Sequence, residues 1–247
     1  MLQFDFSGKT DDRPYITWDG KTLARNPITV SMAGKCVRQL AYHYRGEPKH
    51  PHPNLEPVKS AMTFAVGTAV HEALQRGIVG LRDVERVVWM KDDDLYLEGR
   101  IDGIVPVTLT DGTMVNALLE MKTMNPYAFS KFKEGVIDEA YLVQANTYVE
   151  LVNLEGDKIK HILWVAIDRA TLEIAYSLRP FIGAYAMQGV ENVALGTQKA
   201  PEDLPRLETY GSKLDWQCAY CPFWQSCWPT AVVPDSRKVE LRLEVQP

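Results

Sequence analysis

The chain has 247 residues, 46% of them hydrophobic and 10% aromatic, which is enough to bury a full core. Its formal charge of -5 argues against a broadly basic nucleic-acid coat, and no apolar run approaches the roughly 18 residues that would span a membrane. No charged leader followed by an apolar run opens the sequence, so a soluble, cytoplasmic protein with reduced thiols is expected, built as one domain over 1–247.

Residues 21–49 carry Lys21, Arg25, Lys35, Arg38, Arg45 and Lys49 against one acid, Glu47. That stretch suits either a phosphate-facing surface or a solvated helix face. Ser31 is a candidate N-cap for a helix over about 32–45, with Cys36 in its first turns. A second helix is predicted over 58–76, where Val58, Met62, Ala65, Val66, Ala69, Val70 and Ala73 are dense enough for deep burial and Gly77 gives a stop. His71 stands on this helix one turn after Gly67, whose missing side chain allows close packing against a sheet.

Three strands follow, at about 84–90, 95–105 and 115–123. Between them, Asp92-Asp93-Asp94 and Asp111-Gly112 supply turn chemistry. Asn125-Pro126 opens a short helix to about Lys133, and a longer helix is predicted from Glu139 to Asn153. Strands at 159–168 and 172–178 come next, then a helix from Pro180 to about Leu195. Val239, Leu241, Leu243 and Val245 alternate in a last strand or tail. This order gives a mixed α/β fold, a central sheet with flanking helices.

The strand at 115–123 holds Glu120 and Lys122, which share a face because strand side chains alternate, while Met121 points the other way. Burying a carboxylate and an ammonium costs several kcal/mol per ion unless something pairs with them; a divalent cation would serve, and so would a simple same-face or cross-strand ion pair. Asp102, between Gly99 and Gly103 in the preceding strand, can converge on the pair if the two strands are neighbours. His71 is a third candidate ligand, and an imidazole tilts such a site toward manganese. Gln144 and Tyr148 lie four apart and therefore share a helix face.

Cys36 stands alone near the start, whereas Cys218, Cys221 and Cys227 crowd near the end in a Trp- and Pro-rich segment. Four reduced thiols in this arrangement suit a zinc ion or an iron–sulfur cluster, and spacing does not separate the two. The pattern also ties the two ends of the chain together.

The ordered set Gly67-x-x-x-His71, Gly99-x-x-Asp102-Gly103, Glu120-Met121-Lys122 and Gln144-x-x-x-Tyr148, framed by Cys36 and Cys218-x2-Cys221-x5-Cys227, resembles the RecB-like, iron–sulfur branch of the PD-(D/E)XK nuclease superfamily. Iron–sulfur nucleases of CRISPR adaptation and AddB-type nuclease domains belong to that branch. The resemblance implies a restriction-endonuclease-like core over 57–200, with 31–50 and 204–230 forming a cluster region that joins the N- and C-terminal segments, and 231–247 as a strand or tail. It implies a 4Fe-4S cluster on the four cysteines. It further implies Mg²⁺ or Mn²⁺ on His71, Asp102, Glu120 and the Met121 carbonyl, with catalysis by Asp102, Glu120 and Lys122, supported by Gln144 and Tyr148. The implied activity is metal-dependent exonucleolytic cleavage of single-stranded DNA or DNA ends, in recombination, repair or phage DNA metabolism. Protein partners of the recombination, helicase or CRISPR type, and a bacterial, archaeal or phage origin, go with it. The alternative is a zinc-stapled, inactive DNA-binding or interaction protein.

Overall fold

A computed structural model of the chain describes residues 26–50, 57–92, 95–207 and 217–228. Lys21, Arg25, the Asp93-Asp94 part of the acidic turn and the alternating 239–245 segment lie outside these residues. The described helices are α1 (Val37–Tyr44), α2 (Pro57–Gly77), α3 (Pro126–Lys133), α4 (Glu139–Leu154), α5 (Gly183–Gln198) and α6 (Trp224–Cys227). The strands are β1 (Val87–Asp92), β2 (Leu95–Arg100), β3 (Gly103–Thr108), β4 (Met114–Met124), β5 (His161–Asp168) and β6 (Ile174–Pro180).

Strands β3 to β6 form one mixed sheet in sequence order, in which β4 pairs antiparallel with β3 and parallel with β5, and β6 returns antiparallel to β5. Because β4 and β5 run parallel, a crossover must join them, and α3 and α4 supply it. Strands β1 and β2 form a separate antiparallel pair.

The stretch expected as one strand over 95–105 is therefore two. Its amide at Ile101 donates to the Arg86 carbonyl, and Gly103 then takes φ +147, a conformation that favours glycine. A Cβ there would also lie 2.6 Å from Leu81 Cδ1. The chain thus leaves one sheet at Ile101 and joins the other at Gly103, with Asp102 in the break.

Alternation along β4 assigns its neighbours. Leu118 belongs to the large core with Val143, Val149 and Trp164, whereas Leu119 and Met121 pack on the other face with Val105, Leu74 and Ile78. Helix α4 is buried over most of 143–152 and lies between the sheet and α5, where Gly189 permits contact: a Cβ there would meet Thr147 Oγ1 at 2.1 Å. Full burial of a side chain the size of Leu151 or Val149 is worth about 1.5–3 kcal/mol, so this face carries much of the stability.

Several expectations need correction. Helix α2 has the predicted span but not the predicted depth. Met62, Phe64 and Val66 are exposed, at 55%, 76% and 40%, because only one of its faces meets β4. Cys36 is the N-cap of α1 rather than a residue of its first turns, and Ser31 lies in a separate 3-10 turn, Val30–Met32. Between the two, the chain at Gly34 runs so close to the α4 backbone that a Cβ would stand 2.2 Å from the Ala140 carbonyl oxygen, an approach that only glycine allows. Pro180 ends β6 instead of starting α5, which begins at Gly183 after the Phe181 amide has bonded to the Lys160 carbonyl. The basic stretch is not a uniformly solvated face either: Arg38 is buried, and Arg45 donates to the Ala41 and Gly196 carbonyls.

The turn at Asp111-Gly112 and the start of α3 are as expected. The Asn125 side chain accepts from the Ala128 amide with Pro126 behind it, and Gly112 has φ +84.

Candidate functional site

The β3–β4 register sets Gly103 opposite Leu119, which brings Asp102 level with Glu120. One Asp102 oxygen, Oδ2, accepts the Met121 amide at 2.6 Å, fixing the carboxylate across the break between the sheets. The other, Oδ1, lies 3.6 Å from His71 Nδ1. His71 arrives on α2, held against the sheet where Gly67 faces Thr123; a Cβ at Gly67 would lie 3.2 Å from Thr123 Oγ1.

On the α4 side, Lys122 Nζ is 2.6 Å from Glu120 Oε1 and donates to Gln144 Oε1 at 3.3 Å. Gln144 Nε2 in turn donates to Glu120 Oε1 at 3.3 Å. The amide bridges the ion pair with both of its ends, which also fixes its orientation. Tyr148 lies one turn further along α4, under Gly99, where a Cβ would come 2.6 Å from its Cε1. Its hydroxyl is engaged by the Arg100 backbone.

The electrostatics follow from burial. Desolvation pushes the Glu120 carboxyl up, the Asp102 charge adds to this, and Lys122 and His71 only partly offset it. For Lys122 burial works against the ammonium, but the Glu120 charge and hydrogen bond, with Asp102 and Tyr141 adding, together outweigh it and the amine is held above its usual range. Burial, with Glu120 and Asp102 adding, also raises the Tyr148 phenol well above its ordinary value. The result is a pocket with protons firmly held on Lys122 and Tyr148 and a disfavoured negative charge on Glu120.

Asp102, Glu120, Lys122 and Gln144 are thus brought together, with His71 touching Asp102 and Tyr148 forming a wall. Met121 contributes its amide to Asp102, while its side chain packs in the opposite core. Two residues join them that sequence reasoning missed. The Tyr141 ring lies 4.9 Å from Lys122 Nζ, and Gln75 Nε2 donates to the Asp102 carbonyl at 3.1 Å. Helical spacing was the available signal: Tyr141 is three residues before Gln144, and Gln75 is four after His71.

Among the described residues, no three His, Cys, Asp or Glu side chains stand close enough to form a ready-made site for a metal ion. Glu120 is engaged by Lys122 and Gln144, so a cation would compete with the ammonium for it. The donor types fit nonetheless, since two carboxylates and an imidazole suit Mg²⁺ or, better, Mn²⁺.

The second constellation lies where residues 36–50 meet residues 217–228. Cys36, Cys218, Cys221 and Cys227 line one cavity together with Arg38, Tyr42 and Trp228, and none is in a disulfide. The clasp is made by the His50 amide donating to the Pro222 carbonyl, by Tyr42 Oη donating to the Ser226 carbonyl, and by Ser226 Oγ donating to Glu47. Tyr42 also stacks on Phe223. Burial pushes the Cys221 thiol up to about 12, with the other three cysteines adding to the shift, so as a free thiol Cys221 is not poised for redox exchange.

No family model and no curated protein matches the sequence. Among solved structures, SSO0001 superposes with a TM-score of 0.50 at 16% identity, covering 86% of this chain and 91% of that one. An alkaline exonuclease, LHK-Exo from Laribacter hongkongensis, gives 0.46 at 14% identity, covering 69% of this chain and 86% of the exonuclease. The first likeness is one of fold alone, and the second supports no inference at that score. The described residues form a four-stranded mixed sheet with flanking helices, in keeping with the expected mixed α/β class.

Proposed function

We propose that this protein is a nuclease that hydrolyses DNA phosphodiester bonds with a divalent metal, acting as an exonuclease on single strands or ends. The observation that carries the reading is the meeting of Asp102, Glu120, Lys122 and Gln144 at the break between the two sheets. A buried ion pair is expensive, and replacing one with apolar residues is often neutral or stabilising, so stability alone does not account for it. A cationic side chain beside two acceptor-only carboxylates is what cleavage of a phosphodiester needs.

His71, Asp102, Glu120 and the Met121 carbonyl would hold Mg²⁺ or Mn²⁺. When bound, that ion would offset phosphate charge and make water a stronger nucleophile near neutral pH. The chain's own residues do the rest. Lys122 supplies a fixed ammonium for the charge that grows on the phosphate oxygens, held by Glu120 and by its second hydrogen bond to Gln144. The Met121 amide prevents Asp102 from rotating away. Tyr148 and the Tyr141 ring limit the room left for water around the pair.

The four-cysteine cavity is read as the seat of a structural 4Fe-4S cluster that fastens the two ends of the chain. What supports this is the donor set: four thiols facing one cavity, with Arg38 Nε and Trp228 Nε1 buried there without a hydrogen-bond acceptor. Such donors call for an acceptor-rich, anionic occupant. Protein partners of the recombination, helicase or CRISPR type, and a place in recombination, repair or phage DNA metabolism, remain proposals that follow from the nuclease reading.

The test is anaerobic purification with iron and sulfide analysis, followed by digestion of 5′- and 3′-labelled single strands with Mn²⁺ or Mg²⁺. Nucleotide release that disappears in Asp102→Ala and Lys122→Ala proteins is the expected result; a fully active Lys122→Ala protein would sink the assignment.

A further inference from the structure

Arg38 sits on α1, two residues beyond Cys36, and its side chain turns inward to line the cysteine cavity, at 7% exposure. A guanidinium removed from water costs several kcal/mol unless an anion faces it. Among the described residues Arg38 hydrogen-bonds Tyr42, a neutral phenol, and its Nε has no acceptor. No carboxylate lines the cavity among the described residues. The Trp228 indole N–H, also on the cavity wall, is a second buried donor without an acceptor. Charge and hydrogen-bond capacity are therefore both left over, and both have the sign that an anion would satisfy.

The geometry points to Arg38 as the counter-ion of an anionic cysteine-ligated group in this cavity, a positioning residue that stabilises the group and sets its reduction potential. The inference rests on the cluster reading above and goes beyond it by assigning the compensating charge to one side chain. Of the four thiols, Cys227 feels the Arg38 charge directly, together with that of Arg206, which reaches over the Trp228 ring at 4.8 Å. Arg206 also hydrogen-bonds the Cys227 thiol, but it is exposed and its charge is screened by water, whereas Arg38 is buried and its charge is the larger influence on Cys227. For an iron–sulfur cluster, net charge and hydrogen bonds to the sulfurs govern the potential, and reduction adds a negative charge that a fixed cation favours. Removing Arg38 must therefore lower the potential and loosen the group.

The experiment uses the full chain purified anaerobically as wild type, Arg38→Lys and Arg38→Gln. Iron and sulfide content, the potential from an EPR-monitored titration, and the rate of iron release to a chelator are measured on each. Expected is a more negative potential and severalfold faster iron release for Arg38→Gln, with Arg38→Lys near wild type. A wild-type protein that holds no iron overturns the cluster reading itself. Iron-loaded wild type and Arg38→Gln proteins that share one potential and one release rate overturn the role of Arg38 alone. If Arg38→Gln protein holds no iron, retention by Arg38→Lys supports the charge, and loss from both variants overturns it.

Discussion

Asp102 Oδ2 accepts the backbone amide of Met121 at 2.6 Å, so the carboxylate that stands between the two sheets is oriented by the strand that carries Glu120 and Lys122. The same bond closes the gap in the ladder where β2 gives way to β3. Structure and candidate chemistry therefore meet in one contact.

Asp102→Asn separates them. The amide oxygen can still accept from Met121, so the melting temperature should hardly move, with a cost under about 1 kcal/mol. Metal-dependent nucleotide release should fall by orders of magnitude because a charged oxygen is gone. Thermal melts beside labelled-DNA digestion check both halves.

The Glu120–Lys122 pair predicts a non-additive series. Either partner removed alone, as Glu120→Leu or Lys122→Met, leaves a buried charge and should destabilise by up to about 3 kcal/mol, the low end of the usual range because Lys122 is partly solvated. The double variant should recover most of that loss while remaining inactive. Denaturant midpoints of the four proteins decide; a double variant no more stable than the singles would show that the pair is retained for folding.

Two glycines next to the site should differ in their tolerance of a methyl group. Gly34→Ala forces a Cβ to 2.2 Å from the Ala140 carbonyl oxygen, whereas Gly99→Ala meets the Tyr148 ring at 2.6 Å. Backbone cannot swing aside, so Gly34→Ala should cost more than the roughly 1–3 kcal/mol of ordinary overpacking expected for Gly99→Ala. Gly99→Ala should in addition reduce activity by shifting Tyr148. Gly77→Ala, with open space around it, is the control.

Tyr148 predicts an alkaline limit to stability. Its folded pKa is raised above the unfolded value of 10.0, chiefly by burial, so the protonated phenol stabilises the fold fully below pH 10. That contribution is lost as pH rises from 10 toward the higher folded value. Lys122, also raised, adds a similar loss above 10.5. Tyr148→Phe should therefore show a shallower fall of stability above pH 10 than wild type, by one proton's worth, in denaturant titrations run at matched pH.

Cys36→Ala tests the clasp. Cys36 and Cys227 are far apart in sequence, and a crosslink of that span restricts the unfolded chain by an amount worth about 4–5 kcal/mol at most. Loss of visible absorbance together with a large drop in melting temperature is expected, and unchanged melting would show that the His50, Tyr42 and Ser226 contacts suffice without the bound group.

Local rules were enough for much of this protein. Residues at spacing two on a strand share a face, so strand alternation alone pairs Glu120 with Lys122, and spacing four on a helix does the same for Gln144 and Tyr148. Asn125-Pro126 and Asp111-Gly112 declare their helix start and turn because capping and turn geometry involve only neighbours in the chain. The clustering of three cysteines, with a fourth far off, announces a shared site, though not what occupies it.

What only the tertiary structure decided depends on contacts between distant segments. Gly99 and Gly103 allow a bend in the 95–105 stretch, but nothing local says that the chain changes sheets at Asp102; that follows from the Arg86 and Leu81 contacts around Gly103. The apolar residues of α2 read as buried, yet burial is set by what packs against a helix, and the face that carries Leu74 meets the sheet while Met62, Phe64 and Val66 stay exposed. Cys36 caps α1 two residues after Gly34, whose close approach to Ala140, over a hundred residues away, is a contact local preference does not show. In each case local preference proposes an element, and the space left by the rest of the fold fixes where it breaks and which side chains meet.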